Sequence, residues 1–326
     1  MELVLRTARS LTIILAFWVG AACLIPALAG LFGGVSPAMD VFTHFTPFWL
    51  AGAAMTAVIG LMLGRGRVRS ALIVLGLAGV ALAAPRLVVE VTRPVRPWVR
   101  ADPSGYNLRL IQFNAWVDNA DPLGVAAWLD GQKPDVVTME ETTPALRAAM
   151  IARGFAVVKG TINTAVFSRG IAVRQRFYVP FQDWRLAPDF ARARFAVGDS
   201  AATFTVVAVH VSWPTRAQRW PQREALARML DDQIRGRLIV AGDFNLTPWS
   251  FALAHFDERL RLERRDRAIP TWPAVQPVLG KLLPTPAFLP IDHIYAGPEW
   301  RTVSIRRGPR VGSDHYPLII DLMLRP

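Results

Sequence analysis

The first ninety residues constrain the fold more than any later stretch. Leu11 to Phe32 runs about twenty-two residues without a charged side chain, and Thr46 to Gly64 is a second such run. Ala71 to Ala84 is a third, shorter run that Leu87 to Val89 extend. In hydrocarbon a backbone must satisfy its own hydrogen bonds, so apolar runs of about twenty residues cross a bilayer as helices. A cleaved signal peptide does not account for them, because the first run exceeds a usual signal core and two more follow. Residues 1–89 are therefore expected to form a bundle of about three transmembrane helices, with spans near 11–32, 46–64 and 70–89. The hydrophobic share of 52% and mean hydropathy of +0.28 reflect this concentration. Three spans without an intramembrane charge argue against a transporter.

Flanking charge sets the expected orientation. Arg6 and Arg9 precede the first span, the first loop has no Lys or Arg, and Arg65, Arg67 and Arg69 fill the second loop. The bias of basic residues toward the cytoplasm then places the second loop inside. The remainder falls in the periplasm, as part of a multi-pass protein of the inner membrane. Arg86, Arg93, Arg96 and Arg100 weigh the other way, five against four, so the first-helix signal decides. Residues 90–104, with Pro94, Pro97, Pro103 and three of these arginines, read as a stiff linker.

The net charge of +12 is almost entirely arginine, since lysine occurs only at 133, 159 and 281. A basic surface fits a phosphate-bearing partner, nucleic acid or anionic lipid. A base-composition bias gives the same Arg, Ala, Pro and Gly enrichment, so charge alone does not choose among them. The single Cys23 excludes an intrachain disulfide. Nothing in the sequence points to a protein partner.

From residue 105 the pattern changes to short β-rich runs alternating with helical stretches, the mark of an α/β layered domain. Leu108–Phe113, Val136–Met139, Thr164–Phe167, Ala201–Val209 and Leu238–Ala241 read as strands. Pro122–Asp130 and Gln222–Ile234 read as helices. Leu238–Ala241 stops at Gly242 and delivers Asp243, Phe244 and Asn245 at its carboxyl end, and Pro248 prevents simple continuation. Alternation puts Asp243 and Asn245 on one side and Phe244 in the core. A carboxylate beside a carboxamide suits an acceptor for a water proton next to a group that orients the water. An Asx-type turn is the plainer alternative.

Other polar residues obey the same rule of placement. Asn114, Glu140-Glu141 and His210 close strands, and Ile291-Asp292-His293-Ile294 and Ser313-Asp314-His315 sit at strand boundaries. Adjacent carboxylates are costly unless something neutralises them, and a divalent cation would. Glu141 also fits the amino end of a helix begun by Thr142, Thr143 and Pro144. His293 faces opposite to Asp292 on a regular strand and reads as structural, and His255 as an ordinary helix or surface residue.

With these parts in this order, residues from about Tyr106 to Leu324 resemble the endonuclease/exonuclease/phosphatase superfamily, whose fold is that of deoxyribonuclease I. The carriers are Gln-Phe-Asn114, Asp-Val-Val-Thr-Met-Glu-Glu141, the strand ending at His210, Gly-Asp243-Phe-Asn245, Ile-Asp292-His-Ile and Ser-Asp314-His315. One departure is Glu140, where relatives commonly have Gln. The resemblance implies a four-layer α-β-β-α sandwich over 105–326 and Mg²⁺- or Mn²⁺-dependent hydrolysis of a phosphate ester. It implies that Glu141 holds the metal with help from Asn114 and Asp314. Asp243 would accept the proton of the attacking water, and Asn245 would orient water or a phosphate oxygen. Asp292 would hold His315, which stabilises phosphoryl charge, and His210 would contact the phosphate or assist the leaving oxygen.

Specificity residues are less defined. Arg192 and Arg194 alternate near the site strands, and Arg216, Arg219 and Arg223 follow His210; they suit phosphates or a solvated face. Thr271 and Trp272 can cap a base, a ring or a lipid headgroup, or simply pack. The expected substrate is a nucleotide, nucleic acid or phospholipid headgroup at the bilayer. A catalytically silent, membrane-tethered binding protein on the same fold is the alternative, and a membrane assembly component with an accessory soluble domain is a third.

Overall fold

A computed structural model describes residues 1–177, 187–213, 215, 219–230, 235–278 and 281–324. The chain divides into two compact units: Met1–Arg93 with Trp249–Ala254, and Pro94–Pro248 with His255–Pro326.

The first unit is helical: α1 (Glu2–Gly30), α2 (Pro37–Thr43), α3 (Thr46–Leu63) and α4 (Gly66–Thr92). Helices α1, α3 and α4 are each long and apolar enough to cross a membrane. Helices α1 and α4 overrun the expected spans, since the flanking arginines are good helix formers. Their contacts rest on small residues. A Cβ at Gly76 would stand 2.6 Å from the Ala53 carbonyl oxygen and the Ala57 nitrogen, so α4 approaches α3 at backbone distance. Thr56 Oγ1 donates to the Ala16 carbonyl at 3.1 Å and ties α3 to α1.

The same unit includes Trp249–Ala254. Asp40, fully buried on α2, accepts the N–H groups of Phe251 (2.9 Å) and Ala252 (3.0 Å). Trp249 donates its indole N–H to the His44 carbonyl at 3.0 Å, and the Arg86 guanidinium lies 3.1 Å over the Phe251 ring. A first-loop carboxylate thus caps orphan donors at a helix start about two hundred residues later.

The second unit runs β1 (Tyr106–Asn114), α5 (Pro122–Gly131), β2 (Val136–Glu140), α6 (Pro144–Ala152), β3 (Ala156–Lys159), β4 (Ala165–Ser168) and β5 (Val173–Arg176). It continues with β6 (Asp189–Ala196), β7 (Thr203–His210), α7 (Arg219–Met229), β8 (Leu238–Asp243), α8 (Phe251–Leu260) and β9 (Glu263–Arg264). The last elements are β10 (Val275–Val278), β11 (Lys281–Pro284), β12 (Asp292–Ala296), β13 (Trp300–Arg307) and β14 (Leu318–Leu324). Local chemistry sets the helix starts. Asp121 accepts from Gly124 N at 2.8 Å ahead of Pro122, and Thr143 Oγ1 accepts from Leu146 N at 3.1 Å ahead of Pro144.

Two six-stranded mixed sheets, ordered β13-β14-β1-β2-β4-β3 and β5-β6-β7-β8-β12-β9, pack face to face. Their inward side chains, among them Leu110, Val136, Val206, Ile239 and Trp300, form one core. Helices α5 and α6 cover the outside of the first sheet, with Val125, Leu129 and Met150 against Ile111 and Phe113. On the outside of the second, Phe256 of α8 meets Phe244 at 5.4 Å, and Arg192 of β6 reaches the Met229 carbonyl at the end of α7. This is the expected α/β sandwich. Two strand pairs are parallel, β1 with β2 and β7 with β8, so four carboxyl ends point the same way.

Two boundaries differ from expectation. Helix α4 continues through Thr92, past the expected span, and the segment after Pro94 makes contacts with the α/β unit. Arg96 forms a 3.0 Å ion pair with Glu263, and Val99 N donates to the Thr302 carbonyl at 2.9 Å. Helix α7 covers Arg219–Met229; positions 231–234 of the expected helix, and Arg216, lie outside the described residues.

Replacing Asp40 with Ala removes the acceptor for two buried N–H groups. The Asp40→Ala full-length chain is expected to lose about 1–2 kcal/mol, read as a melting temperature several degrees lower in detergent; an unchanged value would show that water replaces the cap.

Candidate active site

The site is built at the edge where the parallel pairs end. In register, Asn114 of β1 lies beside Glu140 of β2, His210 of β7 beside Asp243 of β8, and Asp292 opens β12 opposite Asp243. Gly242 permits this spacing, because any Cβ there would overlap the Val209 carbonyl on the neighbouring strand. The loop before β14 adds Asp314 and His315. Ser313 Oγ fixes that loop by donating to the Asn114 carbonyl at 2.7 Å and accepting from His315 N at 3.0 Å.

Asp243 is the centre of the cluster. It accepts from Asn245 N at 2.8 Å and from Asn114 Nδ2 at 3.0 Å, and the Nε2 atoms of His315 and His210 each lie 3.7 Å away. The chain turns at Asn245, whose φ of 52° is left-handed, a conformation Asn tolerates. An Asx turn and a polar site are therefore one feature, not alternatives. Asn245 Nδ2 donates to the Val211 carbonyl at 2.9 Å, while its Oδ1 is buried without a donor.

Asp292 accepts from Gln112 Nε2 at 2.7 Å with one oxygen and meets His315 Nδ1 at 2.8 Å with the other. Burial alone would lower the His315 pKa. The carboxylates of Asp292 and Asp243 outweigh burial and lift it to about 10, so the ring is an imidazolium. Burial, partly offset by the histidines, pushes Asp243 up to about 6. Glu140 is fully buried, and burial with the nearby Asp292 carboxylate holds its pKa well above the usual range. It accepts from Gln112 Nε2 at 2.9 Å.

Glu141 is not part of the helix that follows, whose cap is Thr143. Its φ of 55° turns it out of the strand, and it accepts from Asn114 Nδ2 at 3.1 Å and Val117 N at 3.0 Å. Asn114 thus bridges Glu141 and Asp243 through its NH₂, while its oxygen accepts from Trp116 N at 3.0 Å. Asp314 accepts the Trp272 indole N–H at 3.1 Å with one oxygen, and the other is buried with no donor. Burial raises the Asp314 pKa, and the charge of Glu141 adds to the rise.

Ligand-type atoms of Asp243, Asp292 and His315 lie within 4.8 Å of one another. An imidazolium has no lone pair to give, so that trio is an ion network. The donor set that fits a hard cation is the oxygens of Glu141 and Asp314, one of them an orphaned buried acceptor.

A cleft of about 450 Å³ opens beside Glu141 and His210, with Val117, Ile162, Asn163, Ser212 and Trp213 in its walls. Asp189 also lines it but is committed: it accepts from Thr161 Oγ1 and from the backbone nitrogens of Ile162, Asn163 and Thr164 at 2.6–2.9 Å.

Other expected residues fall elsewhere. Arg192 donates to Met229 and stacks 3.7 Å over Phe177, and Arg194 lies 5.3 Å from the same ring, on the outer face of the second sheet. Thr271 is fully buried and cannot cap a substrate, whereas its neighbour Trp272 is partly exposed. His293 pairs with buried Asp266 at 2.7 Å and reaches the Leu246 carbonyl at 2.8 Å, bracing the turn from behind. His255 meets Glu224 at 3.0 Å. Sequence reasoning assigned no role to Gln112, Asp266, Ser313 or Trp213. Gln112 and Ser313 stood inside the motifs around Asn114 and Asp314, and Gln112 shares the strand face of Asn114.

A mixed sandwich with acids and histidines gathered at one edge defines a phosphoesterase-type hydrolase fold. Residues 111–315, more than half of the chain, match the endonuclease/exonuclease/phosphatase family model, and the chain belongs to that family. Its structure is similar to an endonuclease/exonuclease/phosphatase protein from Bacteroides vulgatus, with TM-score 0.56 and 18% identity over 67% of this chain and 99% of that one. The human Nocturnin catalytic domain with bound sulfate gives TM-score 0.55 and 16% identity over 74% and 99%. D. rerio TDP2 complexed with single-strand DNA product gives 0.50 and 16% over 66% and 98%. At these identities the likeness establishes the fold alone. No curated protein sequence matches the chain.

Burial pushes the Asp266 pKa up, but His293, Arg264 and the Ile294 N–H outweigh it and leave the pKa below 3.8. A depressed carboxylate stabilises above its unfolded pKa and loses that contribution as pH falls through its folded value. Melting temperatures of the wild-type and Asp266→Asn chains should differ most near neutrality and converge below about pH 4. A gap independent of pH would assign the loss to packing.

Proposed function

We propose that this chain is a membrane-anchored, divalent-metal-dependent hydrolase of phosphate esters. The observation that carries the reading is the Asp292–His315–Asp243 network with Asn245, set beside the open carboxylates of Glu141 and Asp314. Glu141 and Asp314 would hold Mg²⁺ or Mn²⁺, with Asn114 orienting Glu141, and the bound cation supplies polarisation of the phosphoryl group and charge for the leaving oxygen.

The protein's own residues carry the proton and the charge. With a pKa of about 6, Asp243 is ionised near neutrality yet basic enough to take a proton from water. The water oxygen forms the new bond to phosphorus as the ester P–O bond breaks. Asn245 Oδ1 can accept the second hydrogen of that water and so aim its lone pair. His315, fixed by Asp292, has an Nε2–H with no hydrogen-bond acceptor of its own, which can donate to a phosphoryl oxygen as negative charge builds there. His210 is partly exposed at the cleft mouth and suits a contact to phosphate or proton delivery to the leaving oxygen.

Three features support an extracytoplasmic site. Arg93 is paired with Glu90 at 3.0 Å, Arg96 with Glu263 at 3.0 Å, and Arg86 stacks on Phe251. Neutralised or packed, these arginines weigh less against Arg6, Arg9, Arg65, Arg67 and Arg69, whose bias toward the cytoplasm puts the segment after α4 outside.

The catalytic test uses full-length protein in detergent. Asp243→Asn is expected to cut Mg²⁺-dependent turnover of bis-p-nitrophenyl phosphate at least about 10³-fold, with a melting temperature no lower than wild type, because a buried charge is removed. His315→Ala should cut turnover similarly and also lower stability, since it strands Asp292. Near-normal turnover in Asp243→Asn would refute the mechanism. A folded, metal-binding wild type with no turnover would favour the silent binding protein. For sidedness, a Cys23→Ser, Ser104→Cys chain should react in intact spheroplasts with an impermeant maleimide; protection until lysis would reverse the orientation.

A further inference from the structure

The rim of the cleft is apolar and exposed. Val117 is 52% exposed, Ile162 56% and Trp213 38%, where large hydrophobic side chains would ordinarily be covered. Trp213 packs edge-on against Trp272 at 5.3 Å, and Trp272 stands at the foot of the β10–β11 hairpin. That hairpin presents Leu282 at 54% and Leu283 at 45%, next to Lys281. Its foot is anchored to the catalytic loop, because Ala274 N donates to the Asp314 carbonyl at 2.6 Å and Thr285 N to the Ala274 carbonyl at 3.1 Å. An exposed apolar rim around a polar site marks a surface that meets a partner.

The partner's chemistry follows from what the rim holds and what the cleft omits. Trp at the edge, exposed Leu on strand β11 and one Lys beside it make the composition that settles at a lipid–water interface. Among the described residues no Lys or Arg lines the cleft, whereas a groove that tracks a nucleic-acid backbone sets cations along its length. The chain also carries three helices able to span a bilayer, which keeps a lipid surface at high effective concentration for any part of it.

We infer that the β10–β11 hairpin and the apolar rim seat on a lipid bilayer and that the cleft takes the phosphate ester of a lipid headgroup presented from it. This rests on the hydrolase reading for its second half only. Leu282 and Leu283 enter the interface, Trp213 and Trp272 lie at headgroup depth, and the scissile phosphate comes up beside Glu141 and His210.

Two measurements test it in full-length protein reconstituted in nanodiscs of phosphatidylcholine and phosphatidylglycerol. In a Cys23→Ser background, a fluorophore on Leu283→Cys is expected to be quenched by acyl-chain-brominated lipid several-fold more than one on Asp199→Cys, an exposed turn residue between β6 and β7. Equal quenching would overturn the docking. Hexadecyl p-nitrophenyl phosphate should be hydrolysed with a kcat/KM at least about tenfold above methyl p-nitrophenyl phosphate, and Leu282→Ser/Leu283→Ser should abolish that preference while leaving methyl-ester turnover unchanged. Equal turnover of both esters would overturn the lipid substrate and leave the hydrolase standing. Turnover of neither would refute the hydrolase, with the quenching still deciding whether the surface docks.

Discussion

The site depends on one ion network, the His315 imidazolium held between Asp292 and Asp243. Four carboxyl groups, Glu140, Asp243, Asp292 and Asp314, crowd one sheet edge where burial penalises charge. The fold relieves that cost in two ways. It places the His315 imidazolium among them, and burial favours the protonated form of Glu140. Gln112 then donates to both Glu140 and Asp292 with one NH₂ group. The remaining charge is left where a phosphate ester and a cation can use it: one free oxygen on Asp314, a basic oxygen on Asp243, and a free N–H on His315. Removing any member shifts the protonation of the rest, so these residues act as a unit.

Much of this was legible in the sequence because strand ends are marked by composition. The apolar runs before Asn114, Glu141, His210 and Asp243 end abruptly at polar residues, and parallel pairing of β1 with β2 and β7 with β8 carries all four to one edge. What pairing cannot announce is depth. Thr271, read as a possible substrate contact, is fully buried, and Arg192 and Arg194 share the alternation of a site strand but occupy its other face. Asp266 had no local signature, since it acts on His293, a residue brought near only by the tertiary fold. Residues 90–104 show the same limit: their Pro- and Arg-rich composition names no partner, and only the finished surface supplies Glu263 for Arg96 to meet.

The buried Asp40 shows the same limit more sharply. Nothing in the residues beside Asp40 marks a partner. Here it is fully buried and bonded to two backbone nitrogens of Trp249–Ala254, a segment only a few residues past Asn245. The helical unit therefore includes that segment, whose Phe251 and Ala252 N–H groups take Asp40 as their acceptor. A domain boundary drawn along the sequence misses this, because the segment lies far along the chain from the helices whose unit it completes.

Fold likeness at 16–18% identity does not choose a substrate, and neighbours on this fold are described with ligands as different as sulfate and single-strand DNA. Outside the two large sheets, Val211, Ser212 and Trp213 line the cleft, and Trp272 reaches the centre. Trp272 matters most among them, because its indole N–H holds Asp314 while its ring meets Trp213 and Phe288. Trp272 thus joins a carboxylate of the centre to the aromatic wall, so a change in the packing of its ring is transmitted to Asp314 through one hydrogen bond.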